Sequence, residues 1–237
     1  MSRMTSPLPL VLVPGLYGTP SLFADQLPAL WGQGRAVTVA YHGGHDDLEA
    51  VAAAILAQAP PRFALAGFSM GGMVAMAMHR QAADRIERLA LLDTSAGLDD
   101  EKALAFRHAS VEAIRAGLAV EDAVAMSMPS LVHPAHVEDA AIRATLIAMF
   151  TDTGDAAAIR QQLALISRAD ARPGLAAVTV PTLVLVGVDD TVTPPARADE
   201  IAAAIPHATL VTVPDAGHMT PLEQPAAVTR ALLAWLG

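Results

Sequence analysis

Residues 67–72 read Gly-Phe-Ser-Met-Gly-Gly. A serine hydroxyl is a weak nucleophile until a neighbouring base takes its proton and the backbone holds its oxygen clear. The G-x-S-x-G spacing meets the second need when it links a strand to a helix, because the chain then turns sharply and glycines leave room for the turn. The helix that follows points its free N–H groups at the reacting centre. Patterns this short also arise by chance, so the flanks decide. An apolar run, Phe63 to Ala66, precedes the motif, and a segment of helical character, Met70 to Gln81, follows it. Ser69 is the candidate nucleophile.

The general base should be an imidazole within reach of Ser69. Of eight histidines, His218 stands in Asp215-Ala216-Gly217-His218, just beyond the last expected strand. Loops at the carboxyl ends of parallel strands converge on one edge of the sheet. An imidazole there takes the hydroxyl proton and returns it to the leaving group. His42 and His45 lie near the same edge and are read as candidate substrate contacts. Two aspartates compete to orient the imidazole. Asp190 lies in Gly187-Val188-Asp189-Asp190-Thr191-Val192-Thr193-Pro194, and Asp93 ends the run Ile86 to Leu92. Either is also a natural loop or capping residue. The chain order Ser, Asp, His favours Asp190, with Asp93 in reserve. A tetrahedral intermediate needs two preorganised N–H donors. Met70, after the nucleophile, offers one. In Val13-Pro14-Gly15-Leu16-Tyr17-Gly18, Pro14 has no N–H to give and Leu16 offers the other.

These residues need a scaffold that brings distant loops together. Leu8 to Val13 reads as a buried strand closed by Pro14-Gly15. Leu22 to Leu30 is expected to be a short helix, Ala36 to Tyr41 a strand, and Leu48 to Ala59 a helix stopped by Pro60-Pro61. The strands Phe63 to Ala66 and Ile86 to Leu92 flank the helix after Ser69. This alternation predicts a mostly parallel sheet covered by helices. From Leu98 to Arg172 only helical periodicity is present. Thr182 to Val186 and Thr209 to Val213 then read as strands, with helices at Pro195 to Ala204 and Gln224 to Leu236. The expected division is an α/β core over 1–97 and 173–237, interrupted by helices over 98–172.

Composition narrows the function. Of 237 residues, 53% are apolar and 16% charged, which excludes a disordered chain. The net charge of −9 argues against a nucleic-acid or anionic-membrane partner. With no cysteine, a thiolate nucleophile, a disulfide and a thiolate metal site are excluded. No run approaches the ~18 apolar residues of a membrane span. The N-terminal apolar run is too short for a secretion signal, so a cytoplasmic location is expected. The chemistry asks for no metal and no organic cofactor. Oligomeric state is not readable.

Gly67 to Gly72, Gly187 to Pro194, Gly217-His218 and the Pro14-Gly15-Leu16 turn, in this chain order, resemble the α/β-hydrolase superfamily. The chain looks most like small carboxylesterases and enol-lactonase-like single-domain hydrolases. The resemblance spans essentially the whole chain. It implies a Ser69–Asp190–His218 triad, Leu16 and Met70 as oxyanion donors, and a helical cap where the insertion lies. Two departures stand out. Pro14-Gly15 replaces the His-Gly that family members often carry, and the chain starts almost at its first central strand, which predicts about six strands. Epoxide hydrolase and dehalogenase relatives use an aspartate where Ser69 stands and are disfavoured.

The expected reaction is hydrolysis of a small ester or lactone through an acyl-enzyme. The same site could serve a thioester, a C–C bond or acyl transfer, and a ligand-binding or signalling protein that abandoned catalysis is the rival from another class. Phe68 and Tyr17 flank the proposed machinery, and Met126, Met128 and Phe150 of the helical stretch are candidate pocket walls. Met and Phe at helical spacing also serve as ordinary core.

Overall fold

In the computed structural model, which describes residues 7–237, six strands form one parallel sheet. The strands are β1 (Leu10–Val13), β2 (Val37–Val39), β3 (Phe63–Phe68), β4 (Ile86–Leu92), β5 (Thr182–Gly187) and β6 (Thr209–Val213), in spatial order β2-β1-β3-β4-β5-β6. The fold class and the strand number agree with the sequence. The first six residues of the expected core lie outside the described residues. Every residue of β1, β3 and β5 is buried, as their unbroken apolar runs require of strands covered on both faces. One apolar cluster packs on one face, built from Val11, Leu65, Val74 and Val184. The other holds Leu12, Phe68, Leu185 and Trp235.

The order reverses between β1 and β3. The chain leaves β1 toward β2 and all later strands add on the other side. Val13 pairs with Gly67 at that reversal, so the turns after β1 and β3 emerge side by side. Such a switch point leaves a crevice at the carboxyl edge.

The helices of the core are α1 (Leu27–Gly32), α2 (Leu48–Gln58) and α3 (Met70–Gln81). The structure corrects the single helix expected over Leu22 to Leu30. A 3-10 turn at Pro20–Phe23 precedes α1, with a break at 24–26. Pro28 cannot donate to the preceding turn, so the α-helix begins beside it. Four helices lie between β4 and β5: α4 (Glu101–Arg115), α5 (Val120–Leu131), α6 (Ala140–Thr153) and α7 (Asp155–Ser167). They pack as two pairs, α4 on α7 and α5 on α6. The chain closes with α8 (Pro195–Ala204), α9 (Thr220–Glu223) and α10 (Pro225–Leu236). Among the described residues no helix is long and apolar enough to cross a membrane.

Candidate active site

Ser69 sits between the last residue of β3 and the first of α3, at φ 53° and ψ −118°. A β-carbon disfavours this conformation, and it persists only where the surroundings impose it. Ser69 N–H donates to Leu92 O at 2.9 Å, and Ser69 O accepts from Gly72 N–H at 2.9 Å. The two motif glycines are obligatory. A Cβ on Gly67 would come within 2.1 Å of Gly71 O, and one on Gly71 within 2.0 Å of Val13 O.

The strand ends bring three side chains together across the sheet edge. Ser69 Oγ lies 2.9 Å from His218 Nε2, and His218 Nδ1 lies 2.8 Å from Asp190 Oδ2. A carboxylate can only accept, so Nδ1 carries the ring proton and Nε2 is free to receive one from the serine. Asp190 is held in turn. Its Oδ1 accepts the N–H groups of Val192 and Thr193, each at 2.8 Å, and its Oδ2 accepts the Thr193 hydroxyl at 2.7 Å. Burial pushes the Asp190 carboxyl up, but the electrostatic attraction of the His218 ring and the hydrogen bonds from His218 and Thr193 outweigh it and hold it below the usual aspartate range.

Asp93 is elsewhere in this constellation. It is fully buried, at φ 44°, and its Oδ1 accepts the Gly187 N–H at 2.9 Å while its Oδ2 bonds the Thr220 hydroxyl. Burial pushes its carboxyl well above the ordinary range, and the neighbouring Asp190 charge adds to that. It makes no hydrogen bond to His218 among the described residues. The reserve assignment of Asp93 as the orienting acid is therefore corrected: it braces the loops after β5 and after His218.

The turn after β1 abuts the nucleophile. A Cβ on Gly15 would come 3.2 Å from Ser69 Cβ and 2.8 Å from the Phe68 ring. Neither Leu16 N–H nor Met70 N–H donates to an acceptor among the described residues.

Of the expected pocket residues, the structure brings two to this turn. Tyr17 and Phe150 are half-buried and meet edge to face at 4.5 Å between ring centroids. The other three are corrected. Phe68 is 2% exposed, with its ring 5.2 Å from that of His218, so it is packing under the site. Met128 is 1% exposed and packs with Val124, Leu146 and Met149. Met126 lies on the opposite side of α5 from Val124 and Met128, 67% exposed. His42 is likewise no open contact: it is buried, and its Nε2 lies 2.9 Å from Gly15 O.

Sequence reasoning passes over several polar residues that hold the site. Gln161 Oε1 accepts the Tyr17 N–H at 2.7 Å, and Gln162 Nε2 donates to the Tyr17 hydroxyl at 2.6 Å. Glu223 accepts the Gly217 N–H at 2.9 Å, the His133 N–H at 2.6 Å and the His136 Nδ1–H at 2.9 Å. It thus ties the loop of His218 to the segment after α5, and the last residue of that helix, Leu131, accepts the His218 N–H on its carbonyl at 2.9 Å.

Known proteins share this arrangement of elements. A thermophilic esterase from Thermogutta terrifontis superimposes with a TM-score of 0.86 at 30% identity, over 97% of this chain and 89% of its own. A hydrolase from Pseudomonas aeruginosa PA01 gives 0.83 at 29% identity, covering 97% and 90%. An enol-lactonase from Burkholderia xenovorans LB400 gives 0.83 at 25% identity, covering 99% and 93%. The model of the alpha/beta hydrolase family matches residues 10–231, so the chain belongs to that family and is a hydrolase.

Proposed function

We propose that this enzyme hydrolyses a small carboxylic ester or lactone through a covalent acyl-enzyme on Ser69. The observation that carries the reading is the unbroken chain of hydrogen bonds from Ser69 Oγ through His218 to Asp190, 2.9 and 2.8 Å long, beside two uncommitted backbone N–H groups. The likeness to an esterase and an enol-lactonase supports the same substrate class.

The steps follow from the atoms. Ser69 Oγ bonds to the carbonyl carbon as its proton passes to His218 Nε2. Asp190 accepts the Nδ1–H and stabilises the imidazolium. The carbonyl oxygen becomes an oxyanion, and the N–H groups of Leu16 and Met70 bind it. Collapse breaks the C–O bond of the ester or ring, and the leaving alkoxide takes the proton from His218. Water then enters, gives a proton to His218 and attacks the acyl carbon. The second intermediate releases the acid, and Ser69 recovers its proton. A lactone keeps its alcohol tethered, so one product leaves instead of two.

We further propose that the helices between β4 and β5 roof this site as a cap. Tyr17 and Phe150 form its apolar wall beside the oxyanion turn.

A fluorophosphonate probe tests the nucleophile. It should label the wild-type protein and leave Ser69→Ala unlabelled. No labelling of the wild type, or equal labelling of both, overturns the reading. A panel of short-chain p-nitrophenyl esters and lactones should give saturable turnover. Flat, negligible rates across the panel would count against an ester or lactone as the substrate.

A further inference from the structure

Two of the hydrogen bonds that reach the turn after β1 from outside fall on the peptides flanking Leu16, and neither belongs to the Ser69–His218–Asp190 chain. His42, from the loop after β2, places Nε2 2.9 Å from Gly15 O. A carbonyl oxygen only accepts, so the ring donates. From α7, Gln161 Oε1 accepts the Tyr17 N–H at 2.7 Å. His42 is 3% exposed, and burial lowers its pKa to about 4, against the pull of its backbone hydrogen bonds. The ring is therefore neutral near pH 7.

A trans peptide is planar, with its C=O and N–H opposed. Gly15 O and Leu16 N–H belong to one such plane. Holding the carbonyl on His42 turns the Leu16 N–H the other way. Rotation of this peptide would exchange the two, and a carbonyl oxygen would repel the anion that the N–H should bind. Gly15 O also accepts the Gly18 N–H at 2.9 Å. That bond is internal to the turn and does not tie this carbonyl to the rest of the fold. His42 is the side chain that fastens this carbonyl to the core. On the far side of the turn, Tyr17 is at φ 58° and is held by Gln161 and by Thr153, whose hydroxyl donates to Tyr17 O at 3.0 Å. The peptide following Leu16 is thereby fixed as well.

We infer that His42 is a positioning residue for the hydrolysis: by holding the Gly15 carbonyl, it presents the Leu16 N–H to the developing oxyanion. This inference rests on the proposed Ser69 acyl-enzyme reading.

Three variants at one position test it. His42→Leu removes the donor at similar volume. His42→Asn keeps an amide but is too short to reach Gly15 O. His42→Gln carries its amide N–H near the place of Nε2. On an ester substrate, His42→Leu and His42→Asn should each lose ~10-fold or more in kcat, with KM within about twofold, because an oxyanion donor acts in the transition state and not in ground-state binding. Affinity for a boronic acid, whose tetrahedral adduct on Ser69 puts an oxygen in the same place, should fall by a similar factor. His42→Gln should recover most of both. A merely structural role would lower the melting temperature without this pattern. Equal kcat and boronate affinity in the Asn and Gln variants overturn the inference, even if His42→Leu fails to fold. Ser69→Ala separates the two levels. If it retains turnover, the acyl-enzyme reading fails; if it is inactive while the Leu and Asn variants keep full kcat, only the role of His42 fails.

Discussion

Asp93 and Asp190 follow neighbouring strands at the same edge of the sheet, and both are at most 3% exposed. Their carboxyls nevertheless move in opposite directions. Asp190 faces the His218 imidazole and collects two backbone N–H groups and a hydroxyl, and it is held below the usual aspartate range. Asp93 has one backbone N–H and one hydroxyl, meets no cation, and has Asp190 and Glu223 as charged neighbours, so burial drives it up. Residue type, burial and strand position are shared. What differs is the partner, and the partner decides whether a buried carboxyl is pulled down as a counter-ion or pushed up as a brace.

The sharpest way to break this contrast is to convert each acid to its amide. Asp190→Asn keeps the shape but loses the charge and presents an N–H where His218 needs an acceptor. It should lower kcat on an ester by about 10³–10⁴-fold, the scale set by the wrong imidazole tautomer. Asp93→Asn keeps an acceptor for the Gly187 N–H and a polar group for Thr220, at a φ that asparagine tolerates. Its kcat should stay within a few-fold of wild type. Steady-state kinetics of the pair check this, and a larger loss in Asp93→Asn than in Asp190→Asn would reverse the two roles.

The contrast also marks how far the sequence can be read. Ser69, Asp190 and His218 are legible because each stands in a loop with a local signature: a glycine-flanked serine, a Gly-to-Pro loop after a strand, a Gly-His beyond the last strand. Strand order and the strand-to-loop transitions then bring them together. The parallel sheet is legible for the same reason, since β1, β3 and β5 are continuous apolar runs. The helices between β4 and β5 are legible only as helices. Which face of α5 turns inward depends on tertiary partners, so Met126 and Met128, two residues apart, look equivalent in sequence and end in solvent and in the interior. Gln161 and Glu223 carry no local signature. Their partners lie 144 residues away, at Tyr17, and up to 90 away, at His133. His42 lies near the edge in sequence, but that its ring turns inward to Gly15 is a fact of packing alone.

Asp93 should also matter to stability as a brace. Asp93→Ala leaves the Gly187 N–H and the Thr220 hydroxyl without their buried partner and puts a residue that dislikes positive φ at 44°. Unsatisfied buried groups cost ~1–3 kcal/mol each, so the variant should lose roughly 3 kcal/mol in urea unfolding. Asp93→Asn should lose far less. Equal losses in the two variants would mean that the hydrogen bonds are not what Asp93 contributes.

The smallest effect is the most diagnostic of the opposite shifts. A carboxyl raised above its unfolded value binds more protons in the folded state. Its contribution to stability is complete below the unfolded pKa, ~3.9, and is lost as pH rises through the folded value. Asp93 should therefore penalise the fold increasingly above pH 4, and Asp93→Asn should remove that penalty. The stability of Asp93→Asn relative to wild type should climb with pH, by at most about 1.4 kcal/mol per pH unit, the slope for one proton. Asp190 has the reverse sign: a depressed carboxyl contributes fully above its unfolded pKa and is lost as pH falls through its folded value. His42, lowered to about 4 from 6.5, adds a second loss on the acid side, between those two values. Urea midpoints of wild type, Asp93→Asn and His42→Gln from pH 4 to 9 separate the two effects, which have opposite sign. Asp93→Asn should remove the fall in stability that sets in above about pH 4, and His42→Gln the loss on acidification between 6.5 and about 4. A parallel shift of the whole curve in Asp93→Asn would show that its carboxyl is ionised throughout, and that the two aspartates differ in position but not in protonation.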